Sequence, residues 1–454
     1  MLIIVSDIHL GDGTCGKSIS PTAFALFSER LRELAYHASF RNEGQYKPVE
    51  KIDIVLMGDI LDPMHSSLWL DTKPGNADYI RPWSDSSKPQ YAAKLQQVTR
   101  AILKENQTSV ETLKRIASEE IIHLPPAVNG VPVFDSREHI APRVNIHYMV
   151  GNHDWYYHLP GKGFNAIRQE IIEAMGLSNP ADNFPWETSE YEPLEDIFAR
   201  YKVYGHHGDK YDRFNYDRDR GRDFGTIGDV FGVELLNRYP VVVAQQLGSE
   251  LPLAIADSLR MLTNVRPALA TSLWITGQIR QHAGSPALER KLKKIWDQVS
   301  DEFLQVDFVR EADKAFQFDL VDAMELVVNI SKQASFKTIN DLMMWIRDIM
   351  WGGEISYAKY ALREKAFLDN SARYIIYGHT HHHETIPLDA EGVPPYEESQ
   401  IYFNSGTWRS YYDLAVRDPE AQKFVPYQSM TYLTFYDREE RGERRFEAWT
   451  GAFV

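Results

Sequence analysis

The chain has 454 residues, 43% of them hydrophobic and 25% charged, the balance of a folded globular protein with an ample core. Its formal net charge of −15, with no long basic stripe, weighs against a nucleic acid held by many phosphate contacts. No run of about 18 apolar residues predicts a transmembrane helix, and the single Cys15 excludes an intramolecular disulfide framework.

In chain order, the pattern predicts a strand over 2–6, a loop carrying Gly11, Gly13 and Gly16, and a helix opened by Ser20-Pro21 and running to about Ala38. A strand over 52–56 follows, then a long helical stretch from about Pro89 to Ile121. A strand over 145–150, a helix near 164–175 ended by Gly176 and a strand near 201–205 complete an α/β rhythm. No basic and apolar leader precedes the first strand, so a cytoplasmic location is the default expectation.

From about Gly225 to Asp369 the text turns helical. Apolar positions three and four apart recur at Val233 to Leu236, Leu259 to Leu262, Leu288 to Trp296, Phe316 to Val328 and Leu342 to Met350. Pro240, Pro252, Pro267 and Pro286 fall at expected helix starts. The core resumes at Tyr374, with further strands near 400–404, 430–436 and 445–449. Segments 72–88 and 123–142 read as loops. The expected organisation is a core of 1–212 and 371–454 interrupted by a helical insertion over 213–370. Both ends of that insertion leave next to site motifs, which suits a cap over the site. Its aromatic and Met residues (Trp274, Trp296, Phe303, Phe308, Phe316, Phe318, Met343, Met344, Trp345, Trp351) read first as the interior of a helical bundle.

Five clusters follow the predicted strands: Asp7-Ile8-His9, Gly58-Asp59-Ile60-Leu61-Asp62, Gly151-Asn152-His153-Asp154, His206-His207-Gly208-Asp209 and Gly378-His379-Thr380-His381. Strand ends emerge on one rim of a sheet, so distant clusters converge there. Asp, His and Asn together form a ligand set for two divalent cations. A phosphoester resists hydrolysis because water is a weak nucleophile and negative charge repels it. Paired cations address both problems, and a bridging carboxylate can place an oxygen on each ion.

In residue type, order and strand-end placement the clusters resemble the calcineurin-like metallophosphoesterases, over roughly 1–212 and 371–410. A match such as Gly-Asn-His-Asp arises by chance on the order of once per 10⁵ positions, and here several occur in order. The resemblance implies a four-layer α/β/β/α sandwich, here with a large helical insertion. It implies that Asp7, His9, Asp59 and His381 bind a first metal, and that Asp59, Asn152, His207 and His379 bind a second. His153 would contact the phosphate and protonate the leaving oxygen, with Asp154 orienting it or its loop. Mn²⁺ is the metal the family favours; Fe, Zn²⁺, Co²⁺ and Ni²⁺ suit the same ligands. The expected reaction is cleavage of a phosphodiester or pyrophosphate bond in a small phosphorylated substrate. A DNA or RNA nuclease, a phosphomonoesterase and a silent binding protein are the alternatives. His206, Asp62, Asp209, Asp12, Asn404, His382, His383 and Cys15 read as supporting or incidental residues. Lys17, Arg30, Lys210, Arg213 and Arg409 are candidates, by position, for gripping substrate phosphate.

Overall fold

A computed structural model describes residues 1–266, 270–315, 356–391, 398–415, 417 and 421–453. The helical stretches expected over 316–328 and 342–350, and with them Phe316, Phe318, Met343, Met344, Trp345, Trp351 and Pro267, lie outside the described residues. The fold is mixed α/β, with parallel and antiparallel pairing in its sheets. Among the described residues no helix is long and apolar enough to cross a membrane.

The strands are β1 (Leu2–Val5), β2 (Lys51–Met57), β3 (Ala127–Val128), β4 (Val131–Pro132), β5 (Arg143–Met149), β6 (Val203–Gly205) and β7 (Val265–Arg266). Beyond the insertion come β8 (Tyr374–Tyr377), β9 (Glu384–Glu391), β10 (Glu398–Asn404), β11 (Trp408–Leu414), β12 (Phe424–Phe435) and β13 (Phe446–Phe453). One sheet runs β5-β2-β1-β12-β11-β7, with β13 also paired to β12; a second runs β6-β8-β10-β9. Strands β5, β2 and β1 are parallel, as are β6, β8 and β10.

The apolar run of β1, and that of residues 54–57 in β2, reflect burial on both faces. Side chains alternate across a strand. Ile3, Val5, Ile54, Leu56, Ile146 and Tyr148 therefore pack toward the helices, while Leu2, Ile4, Val55, Met57 and Met149 share one cluster with Val203, Tyr374, Ile376 and Phe403 of the second sheet. The other face of the second sheet, through Ile375, Tyr377 and Tyr402, meets Tyr357 and Ala361.

Helix α1 (Pro21–Ala38) starts as expected, with the Ser20 hydroxyl accepting from the Thr22 amide. The single helix expected over 89–121 is two, α2 (Pro89–Glu105) and α3 (Gln107–Ala117). Asn106 breaks it: its side-chain amide donates to the Gly11 carbonyl at 2.7 Å and to Ile102 at 2.9 Å. That strut fixes the loop after His9 at the expense of helix continuity. Helix α4 (Lys162–Met175) ends at Gly176 with φ 72°, and α5 (Glu192–Tyr201), which the pattern did not predict, ends at Lys202 with φ 57°.

The described part of the insertion holds α6 (Ile227–Phe231), a π-helical turn (Gly232–Asn237), α7 (Arg238–Leu247), α8 (Leu253–Arg260), α9 (Thr271–His282), α10 (Pro286–Leu304) and α11 (Asp307–Ala315). Pro252 and Pro286 mark helix starts, whereas Pro240 lies inside α7. The segment is not purely helical, because β7 adds to the first sheet, pairing Val265 with Tyr412 and Arg266 with Asp413. Two residues are too few to show a strand period in sequence. The contact with the core is also polar and buried: Arg81 pairs with Glu234 at 2.6 Å, and Asp229 accepts from Trp155 and Tyr156 at 3.1 Å each.

Candidate metal centre

Each ligand-bearing loop leaves the C-terminal end of a strand: β1, β2 and β5 in the first sheet, β6 and β8 in the second. Beyond the strands, hydrogen bonds continue from the Asp7 amide to Gly58 (3.0 Å) and from the His9 amide to Asp59 (2.9 Å). The backbone here is strained. Asp7, His9, Asp59, His379 and His381 have φ of 54°, 51°, 56°, 67° and 64°, left-handed values that cost a residue with a side chain about 1–3 kcal/mol each. Such strain persists where packing holds side chains in place for a task. Close approach explains two glycines: a Cβ on Gly151 would lie 2.3 Å from Asp59 Oδ1, and one on Gly378 2.6 Å from Asp7 Oδ2.

Among the described residues three groups of possible ligand atoms result; one, His9, Asp62 and His153, is an imidazole pair on a carboxylate, and the other two meet at Asp59. In the first of these two, His381 Nε2 lies 3.2 Å from Asp7 Oδ1 and 3.1 Å from His9 Nε2, and His9 Nε2 lies 3.7 Å from Asp59 Oδ2. In the second, His207 Nε2 lies 3.2 Å from both Asp59 Oδ2 and Asn152 Oδ1, and His379 Nδ1 lies 2.9 Å from Asn152 Oδ1. Asp7, His9, Asp59 and His381, and likewise Asp59, His207 and His379, offer atoms all within 4.8 Å of one another. Asp7 Oδ1 is buried among these nitrogens without a hydrogen-bond partner. A buried anionic oxygen left unpaired is costly, and a cation would satisfy it. The residues are therefore compatible with bound metal. Asp59 Oδ2 lies near both groups, while Oδ1 accepts from the His153 amide at 2.8 Å.

The imidazoles are oriented from behind, as metal-binding histidines require. His9 Nδ1 lies 3.0 Å from Asp62, His207 Nδ1 is 3.1 Å from the Met57 carbonyl, and His379 Nε2 is 2.9 Å from Asp212. In each ring this turns the other nitrogen toward the ligand group. His153 Nδ1 lies 3.0 Å from Asp62 Oδ1, and its Nε2 lies 4.0 Å from Asp59 Oδ2. His65 Nδ1 adds a third imidazole to the same Asp62 carboxylate at 2.8 Å.

Of the two roles the sequence left open for Asp154, its contacts are those of a residue that orients the loop. It does not meet His153: its carboxylate accepts from the Gly151 and Ile60 amides at 2.6 and 2.8 Å and from the Tyr148 hydroxyl at 2.6 Å. It ties two ligand loops together and is a positioning residue. His206 is fully buried 3.1 Å from Glu364 and stacks on Tyr377, outside both groups. Asn404 holds the Gly378 carbonyl at 2.7 Å, and His383 holds the Asn404 carbonyl at 2.9 Å. Asp209 pairs with Arg222 at 2.5 Å. Burial pushes the Cys15 thiol up to about 12, which removes it as a nucleophile. Arg30 pairs with exposed Glu33, and Lys210 with Glu187. Arg409 alone of those cations is buried beside the centre, 3% exposed. Sequence reasoning passed over His65, Asp212 and Arg266. Asp62, read as support for a turn, is the hub of the histidines, a role that Gly-Asp-x-x-Asp spacing hints at.

Electrostatics separates the groups. Burial alone would raise Asp59, but His207, His153 and His9 outweigh it and hold the carboxyl well below its usual range. Asp62 is likewise held well below that range, against burial, by His153 and His65. His153 is raised: Asp62 and Asp59 outweigh the burial that opposes its charge. His9 and His381 are held well below the usual imidazole range, first by burial, then by Arg409 beside His9 and by Arg266 and Arg409 beside His381. Neutral imidazoles are the form that ligates a cation.

No family model matches the chain. No curated protein matches it at a significant level.

Proposed function

We propose that this chain is a metal-dependent phosphoester hydrolase of the calcineurin-like type, cleaving a phosphodiester or pyrophosphate bond in a small substrate. The observation that carries the reading is the convergence of Asp7, His9, Asp59, Asn152, His207, His379 and His381, from five strand ends, into two adjoining ligand groups that share Asp59 Oδ2. The cluster common to both sheets, with helices beyond each, supports the four-layer arrangement of that family.

In this reading Asp7, His9, Asp59 and His381 hold the first cation, and Asp59, Asn152, His207 and His379 the second. Mn²⁺ is favoured by the resemblance. Bound there, the ions supply Lewis acidity toward the phosphoryl oxygens and lower the pKa of water. The chain supplies the rest. Asp62 holds the Nδ1 proton of His153, which leaves Nε2 facing the site to give its proton to the departing oxygen. The raised pKa of His153 suits an acid that stays protonated near neutral pH. Asp154 and Asn404 keep the second and fifth loops at fixed distance from the rest.

The test is metal content of the purified protein together with Mn²⁺-stimulated hydrolysis of bis-p-nitrophenyl phosphate and p-nitrophenyl phosphate. About two metals per chain and preference for the diester are expected. Monoester preference would redirect the substrate search, and absence of metal and of turnover would defeat the hydrolase reading.

A further inference from the structure

Among the described residues, two arginines beside the first ligand group have no carboxylate in ion-pair contact, although Asp62 acts on both from a distance. Strands β7 and β11 pair in parallel with Arg266 opposite Asp413. Because side chains alternate and paired residues share a face, Arg266, Arg409, Tyr411 and Asp413 lie on one face. That face looks toward the metal centre: the Tyr411 ring is 6.3 Å from the His381 ring, and its hydroxyl donates to the His381 carbonyl at 3.4 Å. Arg409 Nη2 donates to the Thr263 carbonyl at 2.7 Å, and Arg266 Nη1 donates to the same oxygen at 3.0 Å. Two guanidiniums thus share one neutral acceptor, and Arg266 Nη1 also donates to the Val265 carbonyl at 2.8 Å. Among the described residues neither has a carboxylate in ion-pair contact. Arg409 is 3% exposed, and its Nη1 is buried without a partner.

Such an arrangement is costly, because a buried charge normally keeps a paired and hydrogen-bonded partner. Neutralising the acidic centre does not account for it. Two divalent cations, once bound, would outweigh Asp7, Asp59 and Asp62, so further positive charge at that edge would repel them. An incoming anion removes the repulsion and satisfies the idle donors of Arg409, since a guanidinium presents a planar fork that matches an oxyanion.

We propose that Arg266 and Arg409 form an anion subsite at the edge of the first metal position, one that takes a second, non-reacting oxyanion of the substrate. This rests on the phosphoesterase reading and narrows it. The substrate carries a phosphoryl or carboxylate group adjacent to the scissile phosphate, and the insertion contributes directly to specificity through Arg266.

The experiment is calorimetric titration of the full-length, Mn²⁺-loaded protein with methylphosphonate, methylenediphosphonate and phosphonoacetate. The wild type should bind a two-headed probe about 10- to 100-fold more tightly than methylphosphonate, the range of hydrogen bonds to charged groups. Tighter binding of methylenediphosphonate assigns the second group as phosphoryl, and of phosphonoacetate as carboxylate. Arg266→Gln and Arg409→Lys should each reduce the preference about tenfold. Arg266 is only half-buried, so its variant decides the matter even where Arg409→Lys fails to fold. A wild type that binds all three probes equally, or a folded variant that keeps the full preference, overturns the subsite. If the wild type takes up no metal, the hydrolase reading falls, and the same titrations on the chelated protein judge the arginines by the same criteria.

Discussion

Asp62 accepts from His9, His65 and His153 at 3.0, 2.8 and 3.0 Å, so one carboxylate orients both a proposed metal ligand and the proposed acid. Asp62→Ala should therefore lower kcat by about 10²–10⁴ and weaken the first metal by about 10- to 100-fold, read by steady-state kinetics and metal titration; normal metal affinity would remove its role behind His9. His153→Ala should keep two metals while losing about 10²–10⁴ in kcat, and loss of a metal would make His153 a ligand instead. Asp59→Asn should empty both sites, since its Oδ2 faces both groups; retention of either ion in mass spectrometry would contradict the bridge. A pH test concerns the metal-free protein. Burial pulls His207 down, but Asp59 and Asp7 outweigh it and hold the imidazole up to about 10. A folded pKa above the unfolded value of about 6.5 contributes stability that is complete below that value and is lost as pH rises through the folded one. The thermal midpoint of the chelated protein should accordingly fall between about pH 7 and pH 10. With a metal on His207 its imidazole would be neutral, leaving a shallower slope from His153, raised by Asp62 and Asp59, and from His158, held up to about 9 against burial by Asp223 and Glu190.

At the scale of elements, strands with a ligand at their end were the legible part of the chain. Leu2–Val5 and the last four residues of Lys51–Met57 are apolar and buried on both faces, so the break from that run to Asp or His marks the rim. The partners of those ligands were not legible, because Asp62 to His153 and Asp212 to His379 are contacts between loops far apart in the chain. Strands β9 and β11 escaped notice because ETIPLDAE and WRSYYDL mix polar residues into the run, and their pairing rather than their composition makes them strands. Helix α2 shows the opposite failure: the apolar period continues past Asn106, where side-chain bonds to the Gly11 and Ile102 carbonyls accompany the break. Asn106→Ala removes those bonds and leaves the buried Gly11 carbonyl unsatisfied, a loss of about 1–3 kcal/mol. Because Gly11 lies two residues past His9, first-site metal affinity should fall with it. A lower denaturant midpoint with normal metal affinity would confine Asn106 to stability.

For the whole molecule, the open matter is how the insertion relates to the core. Its helical text predicted a separate layer, which would leave a metal-binding core after excision of about 225–368 and a short linker. The described contacts point the other way. Val233 joins the core cluster of the first sheet, and Trp83, Tyr412 and Phe424 of the core pack against the insertion's own cluster. Excision would remove Glu234 from buried Arg81, and breaking such a pair costs about 3–5 kcal/mol. It would also leave Trp155 and Tyr156 without their shared acceptor Asp229 and strip β7 from the edge of β11. Against a total stability of about 5–15 kcal/mol, the ion pair alone consumes much of the margin before the exposed aromatic surface is counted. The excised chain should therefore be insoluble, whereas the full-length protein unfolds with the insertion in one transition. A soluble excised core that binds two metals and melts cooperatively would show that the strand and the ion pair are dispensable, and the insertion would then be a layer laid over a self-sufficient centre.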